Sequence, residues 1–445
     1  MVKVDFSKKI GKIKPMHCVN NVPFVPYNKG QNDLYLKMQE AGIPYTRLHD
    51  TGGTYGGRCF VDIANVFPNF EADPSDPNSY DFAFTDRLLS EIVKYNIKPF
   101  YRLGASIEND HHIKAYNIYP PADNLKWAKI CEGIIRHYNE GWATGFNYNI
   151  EYWEIWNEPD NEPEIENNPM WKGTLQQYFE LYKTTALYLK EKFPHLKIGG
   201  YSSCGFYALK NIDISNVAHS TPRTEYFIEF FHKFMKYVKE NNLPLDFFSW
   251  HSYGDVKENI FYTEYVHEQL SNYGYTNTEI ILNEWNPGIR YRGTLRDATN
   301  IAAMFCAMQK SHNDMCMYYD AQIRSNYCGL FNPLSKDVFK AYYSFVAFNE
   351  LYKLKYEVQS SCDKDEVYVC AASNNGKGAI MVVNRTNEII KSKIALKGLL
   401  DYTNVSVLVI NNNHDLEEVC SFECLPNKIG FSKTMEIDEV MLIKL

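Results

Sequence analysis

From residue 13 to about residue 350, short runs of apolar and β-branched residues alternate with longer segments whose apolar positions recur at helical spacing. The short runs lie at 13–19, 45–49, 98–103, 151–156, 197–200, 246–251, 279–283 and 315–319. Among the longer segments, 81–95 carries Leu88, Leu89, Ile92 and Val93 in a 3.6-residue stripe; 174–193, 224–241, 295–312 and 337–351 behave alike. Weaker helical patterns cover 31–41, 124–139 and 261–273. Thr221 followed by Pro222 reads as an N-cap with proline at the first helical position. Eight strands alternating with eight helices predict parallel strands joined by helical crossovers. Eight such units in an α/β chain point to a closed (β/α)8 TIM barrel. An open doubly wound sheet stays possible, because periodicity does not show closure.

The connections are asymmetric. Helix-to-strand links such as Gly42-Ile43-Pro44 and Asn96-Ile97 are short, whereas the strand-to-helix segments 50–80, 104–123, 157–173 and 201–223 are long. In a barrel all of these long loops lie at one face, the C-terminal ends of the strands, where chemistry is expected. Beyond Leu351 the helical period stops. Segments 366–370, 379–384, 405–410 and 440–445 read as strands, and Asn374-Asn375-Gly376 is a hairpin signal. The expected division is a barrel over 10–352 and a β-sandwich over 353–445, with residues 1–9 adding a strand to the sandwich because Val2 to Phe6 alternates.

The 445 residues are 45% hydrophobic and 22% charged, which is globular composition. The net charge of −8 comes without a basic stripe, so nucleic acid is not an expected partner. No apolar run reaches about 18 residues, so no membrane span is expected. Met1 to Phe24 is polar and broken by Lys and Pro, without the apolar stretch of a secretion signal. The 11 Cys are scattered and include no CxxC pair. A cytoplasmic location with buried reduced thiols fits both facts. On that view Asn384-Arg385-Thr386 and Asn404-Val405-Ser406 are chance glycosylation sequons.

Several features argue against other chemistries. The run Gly52-Gly53-Thr54-Tyr55-Gly56-Gly57 matches neither GxGxxG nor a Walker A loop, so no nucleotide cofactor is expected. Asp160, Glu162, Glu164 and Glu166 lack the EF-hand pattern and read as a solvated face. His111-His112 has no HExxH context, so no metal is expected. No GxSxG is present, which weakens a serine hydrolase.

Two segments carry the chemistry. Trp153-Glu154-Ile155-Trp156-Asn157-Glu158-Pro159 ends the fourth candidate strand, and Ile281-Leu282-Asn283-Glu284-Trp285-Asn286-Pro287 ends the seventh. Both are apolar strands that close on Asn-Glu. All seven Trp fall between 127 and 285, and Trp153, Trp156, Trp250 and Trp285 adjoin these segments or the sixth strand. Aromatic faces cover sugar C–H surfaces while polar groups take the hydroxyls. The bland alternative is that the Trp residues pack the barrel and the carboxylates are solvated. Strands four and seven face each other across a small barrel, so Glu158 and Glu284 can converge on one bond. Two carboxyl groups about 5–5.5 Å apart retain anomeric configuration; at about 6.5–9.5 Å they invert it.

This pairing of motifs resembles glycoside hydrolase family 39, which lies within a clan of retaining (β/α)8 glycosidases and includes β-xylosidases and α-L-iduronidase. The resemblance extends over the barrel to the trailing sandwich. It implies Glu158 as general acid/base, Glu284 as nucleophile and Asn157 as partner of the sugar 2-hydroxyl. Trp250-His251-Ser252-Tyr253 resembles the clan's His-X-Tyr, which implies Tyr253 bonding Glu284 and His251 touching substrate or that network. At the second strand, Arg47 would keep Glu284 ionised and His49 would reach a sugar hydroxyl; a structural Arg–carboxylate pair is the competing reading. Trp285 joins the substrate-binding set.

The resemblance implies a retaining exo-glycosidase acting on short oligosaccharides, with β-xylosidase foremost and no cofactor. β-Glucosidase, β-galactosidase, α-L-arabinofuranosidase and α-L-iduronidase activities remain open, as do a non-catalytic carbohydrate-binding barrel and a metal-dependent hydrolase. The segment 16–21, Met-His-Cys-Val-Asn-Asn, departs from the xylosidase pattern at a place expected to face the terminal sugar. Family members often self-associate, so a homo-oligomer is compatible.

Overall fold

A computed structural model describes residues 1–25, 33–51, 59–107, 116–209, 220–398, 403–424 and 429–445. The chain opens with β1 (Val2–Lys12) and then enters the barrel. Its strands are β2 (Cys18–Asn20), β3 (Tyr45–Leu48), β4 (Lys98–Leu103), β5 (Tyr152–Ile155), β6 (Lys197–Ser203), β7 (Phe247–Ser252), β8 (Glu279–Trp285) and β9 (Met315–Tyr318). All eight pair in parallel, and β2 pairs with β9 to close the ring. The open sheet is thereby excluded.

Around them run α1 (Asp33–Glu40), a short α2 (Ile63–Val66), α3 (Ala83–Lys94), α4 (Asn124–Glu140), α5 (Leu175–Lys192), α6 (Pro222–Glu240), α7 (Val256–Tyr273), α8 (Leu295–Gln309) and α9 (Lys340–Leu354). Local chemistry sets several starts. Thr221 caps α6 by accepting from the Thr224 amide with Pro222 in the first turn, and Asp255 with Glu258 forms a capping box on α7.

Alternation along the strands sorts side chains to two sides of the barrel wall. Inside, Cys18, Tyr45, Phe100, Tyr152, Phe247, Ile281, Met315 and Met317 form an apolar plug. Outward residues such as Trp153, Ile155 and Leu282 pack against the helices. Toward the C-terminal ends the inward positions turn polar. Asn20, Arg47, Arg102, Glu154, Ser249 and Asn283 are all fully buried there. The plug seals one end, so this polar layer opens only toward the long loops.

The remaining strands are β10 (Tyr356–Cys362), β11 (Val367–Asn374), β12 (Lys377–Asn384), β13 (Ile390–Lys397), β14 (Thr403–Ile410), β15 (Asp415–Cys424), β16 (Ile429–Met435) and β17 (Glu439–Lys444). With β1 they form one continuous nine-stranded sheet, in the order β15-β14-β17-β12-β11-β10-β1-β13-β16. Only β1–β13 is parallel within it. One face curls around Val4, Val369, Val382, Ile394 and Val407. On the other face Cys370, Ala372, Met381 and Leu442 join the core that covers α8 and α9. The sandwich-like body therefore shares a core with the barrel. Residues 375 and 376 turn the β11–β12 hairpin at φ of 49° and 77°, as an Asn-Gly pair permits. Ten described cysteines are free and eight of them are buried. Among the described residues no helix is long and apolar enough to cross a membrane.

Candidate active site

Glu158 lies three residues past the end of β5. The chain there turns through positive φ at Trp156 (76°) and Glu158 (46°), and Glu158 N–H donates to the carbonyls of Tyr201 and Ser202. Such left-handed conformations are strained for non-glycine residues and concentrate where a side chain must be aimed. Glu284 is aimed differently. Strict alternation with the inward Asn283 would send it outward. The β7–β8 register instead passes from Trp250 opposite Leu282 to His251 opposite Glu284, so Asn283 is an extra residue and β8 bulges. A bulge next to a site re-directs side chains in this way.

The two carboxylates meet at His251. His251 Nδ1 is 2.7 Å from Glu158 Oε1, and its Nε2 is 3.6 Å from Glu284 Oε2. One ligating atom from each of the three residues lies within 4.8 Å of the others, which brings a carboxylate oxygen of Glu158 within that distance of one of Glu284. Tyr253 hydroxyl donates to Glu284 Oε1 at 2.5 Å, and Asn161 Nδ2 donates to Glu158 Oε2 at 2.7 Å. Both carboxylates are mostly buried, with 12% and 9% of their side chains exposed.

Burial opposes the charge on all three groups, and the outcomes differ. For Glu158 the bond to His251 and its charge outweigh burial and hold the carboxyl below the usual glutamate value. For Glu284 burial wins, reinforced by the nearby Glu158 charge, so its pKa is raised despite His251, Arg47 and Tyr253. For His251 burial is outweighed by Glu284 and Glu158, and its pKa is raised. The lowered Glu158 and raised His251 both favour the proton of the 2.7 Å bond on the imidazole.

Below the pair lies a buried polar network. Arg47 Nε donates to Glu154 at 2.8 Å, Nη2 to Ser202 at 2.9 Å and to Asn157 Oδ1 at 2.5 Å, while Nη1 reaches Glu284 only at 3.4 Å. Ser202 hydroxyl donates to Glu154 and Asn283 Nδ2 donates to the same oxygen, both at 2.6 Å. Of the two readings of Arg47, the structural pair is the tighter, with Glu154 as its partner; the contact with Glu284 is secondary.

The other expected residues fall as follows. Asn157 is buried beside Arg47, and its Nδ2 has no partner among the described residues. Both ring nitrogens of His49 are engaged, Nδ1 by Arg102 at 3.2 Å and Nε2 by Asp50 at 3.1 Å. Burial and the charges of Arg47 and Arg102 push its pKa far down, so it is a neutral element of the wall. Trp285 is a correction: it lies on the outer side of the barrel, 2% exposed, edge-on to Phe305 and Tyr318. Alternation explains this, because the bulge that turns Glu284 inward sends the next residue out. Trp153 stacks on Tyr101, Trp156 packs edge-on to Trp171 and Trp250 packs against Phe206. The tryptophans therefore build the wall around the site.

Asp160 is a second correction. It is fully buried rather than part of a solvated face, accepting from Ser203 hydroxyl at 2.9 Å and from the Cys204 amide. Burial and the Glu158 charge raise its pKa to about 7. In segment 16–21, His17 packs among Phe305, Phe348 and Tyr352 with Nε2 near the Gly42 carbonyl, while Asn20 accepts from Arg47. Only the end of that segment faces the site. The Gly52–Gly57 run and His111-His112 lie outside the described residues.

Sequence reasoning missed Glu154, Ser202, Asn283, Asp160 and Asn161. Glu154 had a usable signal, a lone acid at an inward position between Trp153 and Ile155, where charge is buried only when paired. Ser202 had none.

A family model described as glycosyl hydrolases family 39 matches residues 1–421. The chain belongs to that family. A β-xylosidase of Geobacillus stearothermophilus is 27% identical to this family 39 chain over 246 residues, which is 53% of the chain and 42% of that protein. A β-xylosidase of Caldicellulosiruptor saccharolyticus is 24% identical over 57% of the chain and 46% of its own length. The matches thus span less than half of each relative. A glucosidase structure from Croceicoccus marinus superposes with a TM-score of 0.79 at 20% identity, covering 100% of this chain and 98% of that one. A monomeric β-xylosidase structure from Caulobacter crescentus gives 0.70 at 16%, with coverage of 100% and 98%. At such identities these two likenesses speak for the fold.

Glu158, His251 and Glu284 have the donor types of a metal site. In this family 39 chain a cation there would break the His251–Glu158 hydrogen bond and stand beside the Arg47 guanidinium. Those surroundings suit a shared proton better than a metal ion.

Proposed function

We propose that the protein is a retaining glycoside hydrolase that removes terminal sugars from short oligosaccharides, acting as a β-xylosidase. The observation that carries this is the approach of a Glu158 and a Glu284 oxygen within 4.8 Å. That is well short of the separation of about 6.5–9.5 Å which admits a water between the carboxyl groups of an inverting enzyme. Family membership and the β-xylosidase relatives support the sugar class.

In the first step a Glu284 oxygen bonds the anomeric carbon. The C1–O bond to the leaving group breaks, and a proton from Glu158 passes to the leaving oxygen. In the second step water attacks the same carbon, its proton goes to Glu158, and the Glu284 ester bond breaks. Tyr253 and Arg47 orient and stabilise the Glu284 carboxylate. Asn157 Nδ2, without a partner among the described residues, is a donor for a sugar hydroxyl.

His251 solves a proton problem. The lowered pKa of Glu158 favours its ionised form in the free protein, yet the first step needs it neutral. A bound sugar expels water, which disfavours an imidazolium–carboxylate pair relative to a neutral imidazole and carboxylic acid. Moving the proton already in the 2.7 Å bond makes Glu158 an acid without uptake from solvent. Once Glu284 is an ester its charge is gone, the pKa of Glu158 falls, and it accepts the water proton.

The test is a panel of aryl β-xyloside, β-glucoside, β-galactoside and α-arabinofuranoside, assayed with and without EDTA. With an activated aryl leaving group, Glu158→Gln is expected to slow deglycosylation by about 10²–10⁴-fold and glycosylation much less. Loss of glycosylation alone would overturn its role. Activity lost to EDTA would overturn the metal-free mechanism.

The pKa directions set the pH profile. The free enzyme needs Glu284 ionised, so kcat/KM falls as pH drops through its raised pKa, above the usual glutamate value. It also needs the proton of the Glu158–His251 pair, so activity falls again as pH rises through the raised His251 pKa. Tyr253→Phe removes a donor to the Glu284 carboxylate and should move the acid limb to higher pH while leaving the alkaline limb in place. An unmoved acid limb would remove Tyr253 from this role.

A further inference from the structure

The carboxyl of Glu158 is held at both oxygens. His251 Nδ1 stands 2.7 Å from Oε1, and Asn161 Nδ2 donates to Oε2 at 2.7 Å. Asn161 closes the turn after the glutamate, with its backbone N–H on the Glu158 carbonyl, and its side chain is buried. A primary amide has two unlike ends: the oxygen accepts and the nitrogen donates. An ionised Glu158 needs the nitrogen end. A protonated Glu158 could equally donate to the oxygen end. Because the reaction alternates these two states, the carboxyl alone does not keep the amide in one orientation.

Arg223 does so from the other side. It stands in the first turn of α6, where Nη2 donates to Asn161 Oδ1 at 3.0 Å and Nε donates to the Asn161 carbonyl at 2.7 Å. A guanidinium carries donors only and stays charged, so the amide oxygen must face Arg223 and the nitrogen must face Glu158. The guanidinium is itself anchored. Glu162 pairs with Nε at 2.8 Å, and the Phe227 ring centre, one helical turn on, lies 5.1 Å from the guanidinium carbon.

We propose that Arg223 is a positioning residue for Glu158, acting through the side chain of Asn161. It holds the amide so that Oε2 always receives an N–H, which leaves Oε1, the oxygen beside His251, to carry the transferable proton. A turned amide would set oxygen against oxygen while Glu158 is ionised and would draw the proton to Oε2 once it is neutral. This role rests on reading Glu158 as the acid/base of a glycosidase.

The test measures kcat/KM on 2,4-dinitrophenyl β-xyloside, whose leaving group needs no proton, and on phenyl β-xyloside, whose leaving group does. Wild type is compared with Arg223→Met, Asn161→Leu, the double variant and, as a reference, Glu158→Gln. The Arg223 side chain is 45% exposed, so its replacement spares the core, and an unfolding midpoint checks the others. Arg223→Met and Asn161→Leu are each expected to lose about tenfold on the phenyl glycoside and to stay within about twofold on the dinitrophenyl one. The double variant should be no slower than Asn161→Leu, because Arg223 acts only through that amide. Equal losses on both substrates would mean a structural role and overturn the proposal. So would losses that multiply in the double variant, or no loss in Arg223→Met while Glu158→Gln shows the split. If Glu158→Gln itself shows no split, or wild type cleaves neither xyloside, the acid/base or the xylosidase reading fails and this role falls with it.

Discussion

Glu284→Ala is expected to lower kcat for an aryl β-xyloside by about 10⁴-fold or more, because among the described residues no other group stands where the covalent bond must form. The protein should stay folded. Arg47 keeps its tighter bond to Glu154, and Tyr253 is partly exposed and regains a water partner. The removed carboxylate leaves room for a small anion. Added azide should therefore restore turnover and give the α-glycosyl azide, since a single displacement inverts the β-linkage. Glu158→Ala with azide should instead give the β-glycosyl azide, because the glycosyl-Glu284 ester is already inverted and the second attack inverts again. Product anomers distinguish the two roles independently of rate. The same anomer from both variants would refute the assignment.

Arg47→Met is expected to destabilise the fold by about 3–5 kcal/mol, the typical cost of stripping one partner from a buried ion pair. Glu154 would remain fully buried with, among the described residues, only Ser202 and Asn283 donating to it. Denaturant unfolding reads this cost. Arg47→Met/Glu154→Gln should recover much of the stability, since the double change leaves no unpaired buried charge. Activity should not recover with it. Arg47 also holds Asn157 at 2.5 Å and faces Glu284, and neither contact returns in the double variant. Recovery of both together would mean that Arg47 serves the fold alone.

The sheet shows where local pattern stops being legible. Segments 366–370, 379–384, 405–410 and 440–445 were readable because they carry dense apolar runs buried on one or both faces. The strand β13 was not, although its burial alternates strictly from Ile390 to Lys397. Its outward positions Lys391, Lys393 and Lys397 dilute the apolar signal. Polar β15 lies at the sheet edge, where only one neighbour supplies backbone partners. The split of one continuous sheet into a curled body is likewise a property of pairings across the whole chain.

The site divides along the same line. Seven of the eight barrel strands, the eight helices, the face carrying the long loops and the two Asn-Glu endings could be read from residues alone; the first barrel strand, expected over 13–19, is Cys18–Asn20. Each depends on periodicity or on neighbours a few positions apart. The inward turn of Glu284 depends on a register shift against β7, a strand about thirty residues earlier. The partner of Arg47, the burial of Asp160, the bridging by His251 and the outward packing of Trp285 depend on groups brought together from distant segments. Local sequence sets which side chains a strand end offers. Which of them meet, and with what charge and proton, is a matter of distances through space and exclusion of water, and those exist only once the barrel has closed.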